Sequence, residues 1–60
     1  MAEFAAGASH EINNPLAVIS ANSQYLLKQD PTDGQRKALE SIIRQTERVH
    51  GILRELMTFA

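Results

Sequence analysis

The second half of the chain carries an unbroken repeat of core-type positions, and this repeat restricts the fold more than any other feature. From Leu39 to Ala60 the positions recur at alternating steps of three and four residues, the heptad spacing of a packing helix. They are Leu39, Ile42, Thr46, Val49, Leu53, Leu56 and Ala60. Apolar residues on both sides of this row, Ile43, Ile52 and Phe59, favour a bundle of four helices over a two-stranded contact.

The chain is too short to stabilise such a helix comfortably by itself. Sixty residues bury little apolar surface relative to the chain entropy lost on folding. The sequence has no cysteine, and neither of its two histidines lies in a metal-ligand spacing, so we expect neither a disulfide nor a metal site. Association with a second copy is the remaining source of stability, which predicts a homodimer.

One cluster of turn-forming residues, Asp30-Pro31-Thr32-Asp33-Gly34, divides the chain into two similar halves. Asp30 or Thr32 is suited to cap the following helix, and Pro31 is suited to its first position. We therefore predict a first helix over about 2–29, a turn over about 30–34 and a second helix over about 35–60, forming one domain.

The first half has a weaker helical pattern than the second. Its apolar positions are Ala5, Ala8, Ile12, Leu16, Ile19 and Leu26, with Ser23 at one core-type position. At about 100° per residue they cluster around one direction, and His10 lies roughly opposite, so we expect His10 to be exposed. The predicted fold is all-α: an antiparallel two-helix hairpin that pairs into a homodimeric four-helix bundle.

Charge and hydropathy exclude two classes of partner. Six basic and seven acidic residues give a formal charge of −1, and the signs are interspersed, so no basic face is available to follow nucleic acid phosphates. The apolar runs are too short for a membrane span or a signal peptide. We expect a segment that contacts neither nucleic acid nor membrane.

The segment Ala8-Ser9-His10-Glu11-Ile12-Asn13-Asn14-Pro15-Leu16 closely resembles the H-box of two-component sensor histidine kinases. In that family an acidic residue follows the phosphoacceptor histidine, Asn or Thr stands four positions on, and proline and an apolar residue come next. His10, Glu11, Asn14, Pro15 and Leu16 match these places, and the resemblance covers essentially the whole chain. One departure is Asn13, where many members carry a basic residue.

The chemistry of these side chains agrees with the role that the resemblance implies. Phosphoryl transfer requires an exposed nucleophile, and a neutral imidazole attacks through one ring nitrogen while a hydrogen bond holds the other. Glu11 is the expected acceptor or general base, although adjacent helical residues point about 100° apart. Asn14, four positions on, lies on the face of His10, and its amide both donates and accepts hydrogen bonds. The resemblance implies that Asn14 assists phosphorylation or orients water during dephosphorylation of a partner.

Small residues lie along the helix near His10. Ala6 and Ala17 lie almost in line with His10, with Gly7 to one side and Ala21 one turn beyond Ala17. Such a strip would let a nucleotide-binding or receiver domain approach closely. The alternative explanation is that alanine is simply the best helix former.

Pro15 permits two interpretations of the first helix. It cannot donate to the carbonyl of Glu11, so a continuous helix should bend one turn below His10. Alternatively, Asn14 caps a helix that begins at Pro15, which would leave His10 in a loop. The apolar pattern back to Ala5 and the resemblance favour the continuous helix.

Two other features have ordinary explanations. His10-Glu11 begins like the zinc-protease motif, but Asn14 stands where the second histidine is required. His50 flanks the heptad positions of the second helix and is expected to be a packing or surface residue, because its surroundings do not repeat those of His10.

The resemblance implies a dimerisation and histidine-phosphotransfer domain that forms part of a protein histidine kinase. His10 would accept the γ-phosphoryl group of ATP from a separate catalytic domain and pass it to an aspartate of a response-regulator receiver domain. The segment has no glycine-rich phosphate loop, so ATP and magnesium would bind to the catalytic domain and the segment would be inactive alone. We expect a cytoplasmic domain, whether or not the parent kinase is membrane-anchored. The alternatives are a stand-alone phosphotransfer module and a structural dimerisation hairpin.

Overall fold

The computed structural model describes the backbone of residues 2–59 and the side chains of residues 7, 8 and 10–57. Helix α1 spans Ala2–Leu27 and helix α2 spans Asp33–Phe59. The two helices pack side by side as an antiparallel hairpin that extends 45 Å along its longest axis. Within residues 2–59 no strand is present, so the predicted all-α hairpin is confirmed.

Helix α1 ends at Leu27 rather than near Gln29. The amide of Lys28 donates to the Tyr25 carbonyl at 3.1 Å and that of Gln29 to the Leu26 carbonyl at 3.0 Å, so the last turn tightens to bonds three residues back. Asp30 then adopts φ 55°, in the left-handed region. Aspartate tolerates this region better than most residues, and its conformation takes the chain out of the helix.

Helix α2 begins at Asp33, earlier than the predicted start near Gln35, because Thr32 and Gln35 form a capping box. The amide of Gln35 donates to Thr32 Oγ1 at 3.1 Å, and the amide of Thr32 donates to Gln35 Oε1 at 3.0 Å. This reciprocal pair satisfies two backbone donors at the helix start. Of the two predicted caps, Thr32 rather than Asp30 is used, and Gly34 is accommodated in the first turn.

The contact between α1 and α2 includes two hydroxyl residues at core positions. Ser23, Thr46 and Leu53 are 4%, 5% and 7% exposed. Ser23 Oγ donates to the Ile19 carbonyl at 2.8 Å, and Thr46 Oγ1 donates to the Ile43 carbonyl at 2.7 Å. Each hydroxyl is therefore satisfied within its own helix, so both side chains can be buried without an unpaired polar atom.

Much of the apolar surface of the hairpin is left exposed. Leu16, Leu39 and Val49 are half-buried between the helices. By contrast, a row on each helix remains open to solvent: Ile12, Ile19 and Leu26 on α1, and Ile42, Ile52 and Leu56 on α2. The predicted core positions Ala5, Phe59 and Ala60 lie outside the described side chains. One hairpin thus covers only part of the predicted core, as expected of half a bundle.

Helix α1 runs without interruption through Pro15. The continuous-helix interpretation is therefore confirmed, and the alternative in which a helix starts at Pro15 is wrong. The bend at Pro15 stays a prediction. Over the described residues, neither helix is long and apolar enough to cross a membrane.

Candidate functional site

His10, Glu11 and Asn14 lie in consecutive turns of α1, and the side chains of all three are exposed. The predicted exposure of His10 is confirmed. Asn14, four residues after His10, lies on the same face one turn away, whereas Glu11 points about 100° around the helix. These three side chains make no hydrogen bond with one another in the hairpin, so the histidine is open to an incoming group.

A stripe of small and neutral polar residues continues from His10 along α1. Its members recur at steps of three and four, so they share one face of the helix. We call this the His10 stripe, and it consists of His10, Asn13, Ala17, Ser20 and Gln24. Ser20 and Gln24 are joined by a hydrogen bond of 3.2 Å from the Gln24 amide to the Ser20 hydroxyl. No large apolar or charged side chain interrupts the stripe below His10.

The lower part of the His10 stripe forms one wall of an open groove between the helices, with a volume of about 510 Å³. We call it the interhelical groove. The α1 wall consists of Ala17, Ser20, Ala21 and Gln24, and the α2 wall of Thr46, Glu47, His50 and Arg54. Ala17 is seven residues from His10, so the groove begins about 10 Å below the imidazole. The residues of the α1 wall are uncharged and, apart from Gln24, small. The α2 wall presents charges of both signs and an imidazole.

Asn13 occupies the position of the stripe between His10 and the groove. Its side chain is half-buried, and its Oδ1 atom is buried without accepting a hydrogen bond from any described residue. A buried acceptor without a donor is uncommon in native structures. This oxygen lies one turn below the proposed phosphoacceptor.

The structure brings together some of the residues singled out in the sequence and separates others. Ala17 and Ala21 line the interhelical groove, and Gly7 has open space around it, while the side chain of Ala6 is outside the described residues. His50 is half-buried, whereas His10 is exposed, and its side chain lines the interhelical groove. Among the described residues, no group of three or more histidine, cysteine, aspartate or glutamate side chains is placed to hold a metal ion.

Two features of the site were not anticipated from the sequence. The groove is formed by residues of both helices, so its position depends on how α2 is aligned along α1. The spacing of residues along one helix does not give this alignment. The steps of three and four from His10 to Gln24 did contain a signal for the α1 wall. The unpaired oxygen of Asn13 had no such signal, because it depends on one rotamer in the packed hairpin.

Comparison with known proteins gives a consistent result over the whole chain. Residues 1–60 match the family model described as the His Kinase A (phospho-acceptor) domain. The C4-dicarboxylate transport sensor protein DctB of Rhizobium meliloti (strain 1021) is 41% identical over 63 aligned residues, covering 100% of this chain and 10% of that protein. No solved structure matches the chain significantly.

Sensor histidine kinases named ZraS are also similar to the chain. The protein of Klebsiella oxytoca is 33% identical over 58 residues, and that of Salmonella typhimurium is 31% identical over 58 residues. These alignments cover 95% of this chain and 13% and 12% of the two kinases. The chain therefore spans only a small part of the length of the curated relatives it matches.

Proposed function

Because the chain belongs to the His Kinase A (phospho-acceptor) domain family, we propose that His10 is its phosphoacceptor. In this proposal the domain is part of a sensor histidine kinase. His10 accepts the γ-phosphoryl group of ATP from the kinase's catalytic domain and passes it to an aspartate of a receiver domain. The observation that carries the proposal is the exposed imidazole in an H-box on a continuous helix, about 10 Å above the interhelical groove.

The side chains around His10 suit both transfers. The unprotonated ring nitrogen attacks the γ-phosphorus, and the bond to the bridging oxygen breaks with its electron pair leaving on ADP. The proton on the other ring nitrogen passes to the Glu11 carboxylate, or to water. In the second transfer the phosphorus–nitrogen bond breaks, a bond to the receiver carboxylate forms, and the ring nitrogen regains a proton. Exposure of His10 is needed in both, because two different domains must reach it.

Asn14 has a separate proposed role in removing the phosphoryl group from the receiver. Its exposed amide is one turn from His10, close to where a docked aspartyl phosphate would lie. An amide both donates and accepts hydrogen bonds without charge, so it can orient a water molecule towards phosphorus. We assign the positioning of that water to Asn14.

The interhelical groove is the proposed docking surface of the receiver domain. It lies on the face of His10 and begins about 10 Å below the imidazole, so a domain seated in it would extend along α1 beyond the groove to bring its aspartate to the imidazole. Small residues at Ala17 and Ala21 allow close approach on one wall. Glu47, His50 and Arg54 on the other wall supply polar contacts that would help to distinguish one receiver from another.

The other proposed partners follow from the same assignment. A second copy of the chain would cover the exposed rows on α1 and α2, and a dimeric four-helix bundle fits the family. ATP and magnesium are proposed to bind to the catalytic domain, because the sequence has no glycine-rich phosphate loop. The domain is accordingly not a complete enzyme, and we place it in the cytoplasm, where ATP is available.

The test uses the full-length kinase with labelled ATP and its receiver. His10→Gln should fold normally, because His10 is exposed, and should accept no acid-labile phosphoryl group. Glu11→Ala should slow acceptance by about 10²-fold or more if Glu11 is the base. Asn14→Ala should impair dephosphorylation of the receiver more than phosphorylation of the kinase, whereas Asn22→Ala, a matched exposed amide on α1, should change neither.

Two outcomes would contradict these assignments at different levels. Retained phosphorylation of the His10→Gln kinase would remove the phosphoacceptor role and leave a structural dimerisation hairpin. Equal losses of phosphorylation and dephosphorylation in Asn14→Ala would remove only the separate role of Asn14.

A further inference from the structure

Asn13 stands at a boundary between the packed interior of the hairpin and the reactive histidine. It belongs to the His10 stripe, three residues after His10 and four before Ala17. Its side chain is neither fully exposed nor fully buried, and its Oδ1 atom is covered and unpaired among the described residues. A change of its side-chain rotamer would therefore move the amide between interior and surface.

Without a donor among the described residues, the buried position of this oxygen is unfavourable. An acceptor that loses its water without gaining a donor costs about 1–3 kcal/mol. A leucine, whose side chain has the same number of heavy atoms with the same branching, would carry no such cost at the same place. The amide is thus poorly suited to a purely packing role, and its oxygen would gain a hydrogen-bond partner by turning outward.

His10 supplies a donor of the required kind one turn away. A neutral imidazole carries one N–H, and its orientation and tautomer are set by the acceptor that this N–H meets. In the hairpin, His10 makes no hydrogen bond with a described residue. Side chains of an α-helix tilt towards its N-terminus, so Asn13 leans towards the turn that holds His10. Residues three apart are neighbours on a helix surface, whereas adjacent ones such as Glu11 are not.

We propose that Asn13 is a positioning residue for His10, whose Oδ1 atom accepts the imidazole N–H and so leaves the other ring nitrogen unprotonated for attack. This inference rests on the proposed role of His10 and extends it to a residue outside the H-box positions that carry the resemblance. An amide oxygen holds a proton without removing it, so after transfer the proton still leaves to water, which can pass it to the Glu11 carboxylate. Asn13 touches neither ATP nor the phosphoryl group.

The experiment compares Asn13→Leu and Asn13→Asp in the full-length kinase, because a structural role and a positioning role predict opposite orders. Leucine removes the buried unpaired acceptor, so it should raise or preserve thermal stability, while aspartate places a charge there and should lower it. For the rate of phosphorylation by ATP the order should reverse, since aspartate keeps an acceptor and leucine has none.

The expected loss for Asn13→Leu is about 10- to 100-fold in phosphorylation rate, the range found when acceptors that orient metal-bound histidines are removed. Asn22→Leu makes the same chemical change at an exposed position of α1 outside the His10 stripe, and it should leave the rate unchanged. Autophosphorylation is measured without a receiver, so that docking in the interhelical groove does not enter the result.

The outcomes separate this inference from the function on which it rests. A stable Asn13→Leu kinase that is phosphorylated at the original rate would overturn the positioning role. A loss of rate that only follows a loss of stability, with aspartate slower than leucine, would also overturn it. Phosphorylation of the His10→Gln kinase, by contrast, would contradict the proposed function itself.

Discussion

The exposed row of Ile12, Ile19 and Leu26 on α1 allows a direct test of which face meets the second copy. The proposed change is Ile19→Glu, with Val18→Glu as its control. Ile19 is 44% exposed in the hairpin and Val18 is 58% exposed. The side chains of Ile19 and Val18 point about 100° apart, so glutamates at these positions lie on different faces of the same helix turn.

The size of the expected effect follows from the exposed fraction of Ile19. Complete burial of an isoleucine side chain contributes about 1.5–3 kcal/mol, so covering the exposed part contributes about 0.7–1.3 kcal/mol per chain. A symmetric dimer contains the contact twice, which gives about 1.3–2.6 kcal/mol. The loss corresponds to a roughly 10- to 100-fold higher dissociation constant, before the cost of burying a carboxylate is added.

Sedimentation equilibrium over a range of concentrations measures this constant, and circular dichroism follows helicity in the same samples. Ile19→Glu should weaken the dimer and make helicity depend on concentration, whereas Val18→Glu should dimerise like the unchanged chain. If Val18→Glu weakened the dimer and Ile19→Glu did not, the second copy would have to cover the other face of α1, and the assignment of the exposed row would be wrong.

Three further substitutions test the hairpin itself. Leu53→Asp places a charge at a side chain that is 7% exposed, so it should abolish both dimer and helicity; a folded monomer in sedimentation equilibrium would contradict the bundle. Pro15→Ala restores a backbone donor to the Glu11 carbonyl inside a continuous helix, so it should raise the melting temperature while changing phosphotransfer, and a lower melting temperature would argue against strain at Pro15. Thr32→Ala removes the capping bond to Gln35 and should destabilise the fold by about 1 kcal/mol in thermal melts, whereas an unchanged melting temperature would show that the cap contributes little.

Most of the hairpin was predictable because its signals are local. The spacing from Leu39 to Leu56 and the turn formers around Pro31 depend only on neighbours along the chain, and they identified two helices and one connection. The start of α2 differs from the prediction because helix capping is decided by particular side-chain bonds. Thr32 and Gln35 bond to each other, and this extends α2 back to Asp33.

Features that depend on the packing of one helix against the other were harder to predict from the sequence. Leu53 and Leu56 are neighbouring heptad positions with the same residue type, yet one is buried and the other exposed in the hairpin. Their difference depends on which side of α2 faces α1, and the repeat alone does not show this. The residues of the H-box were identifiable by type and spacing, but the covered oxygen of Asn13 arises only when the helices meet.

The regular steps of the His10 stripe have a consequence for how the length of this helix can change in evolution. One inserted residue between His10 and Ala17 would turn the imidazole about 100° away from the interhelical groove, while seven inserted residues would keep the direction and add about 10 Å of separation. Insertions and deletions in this part of α1 should therefore be rejected unless they come close to whole heptads. Under the proposed docking of a receiver in the groove, even a whole heptad would change the distance that the receiver must span to His10, so a kinase that gains or loses one should also change the receiver that it recognises.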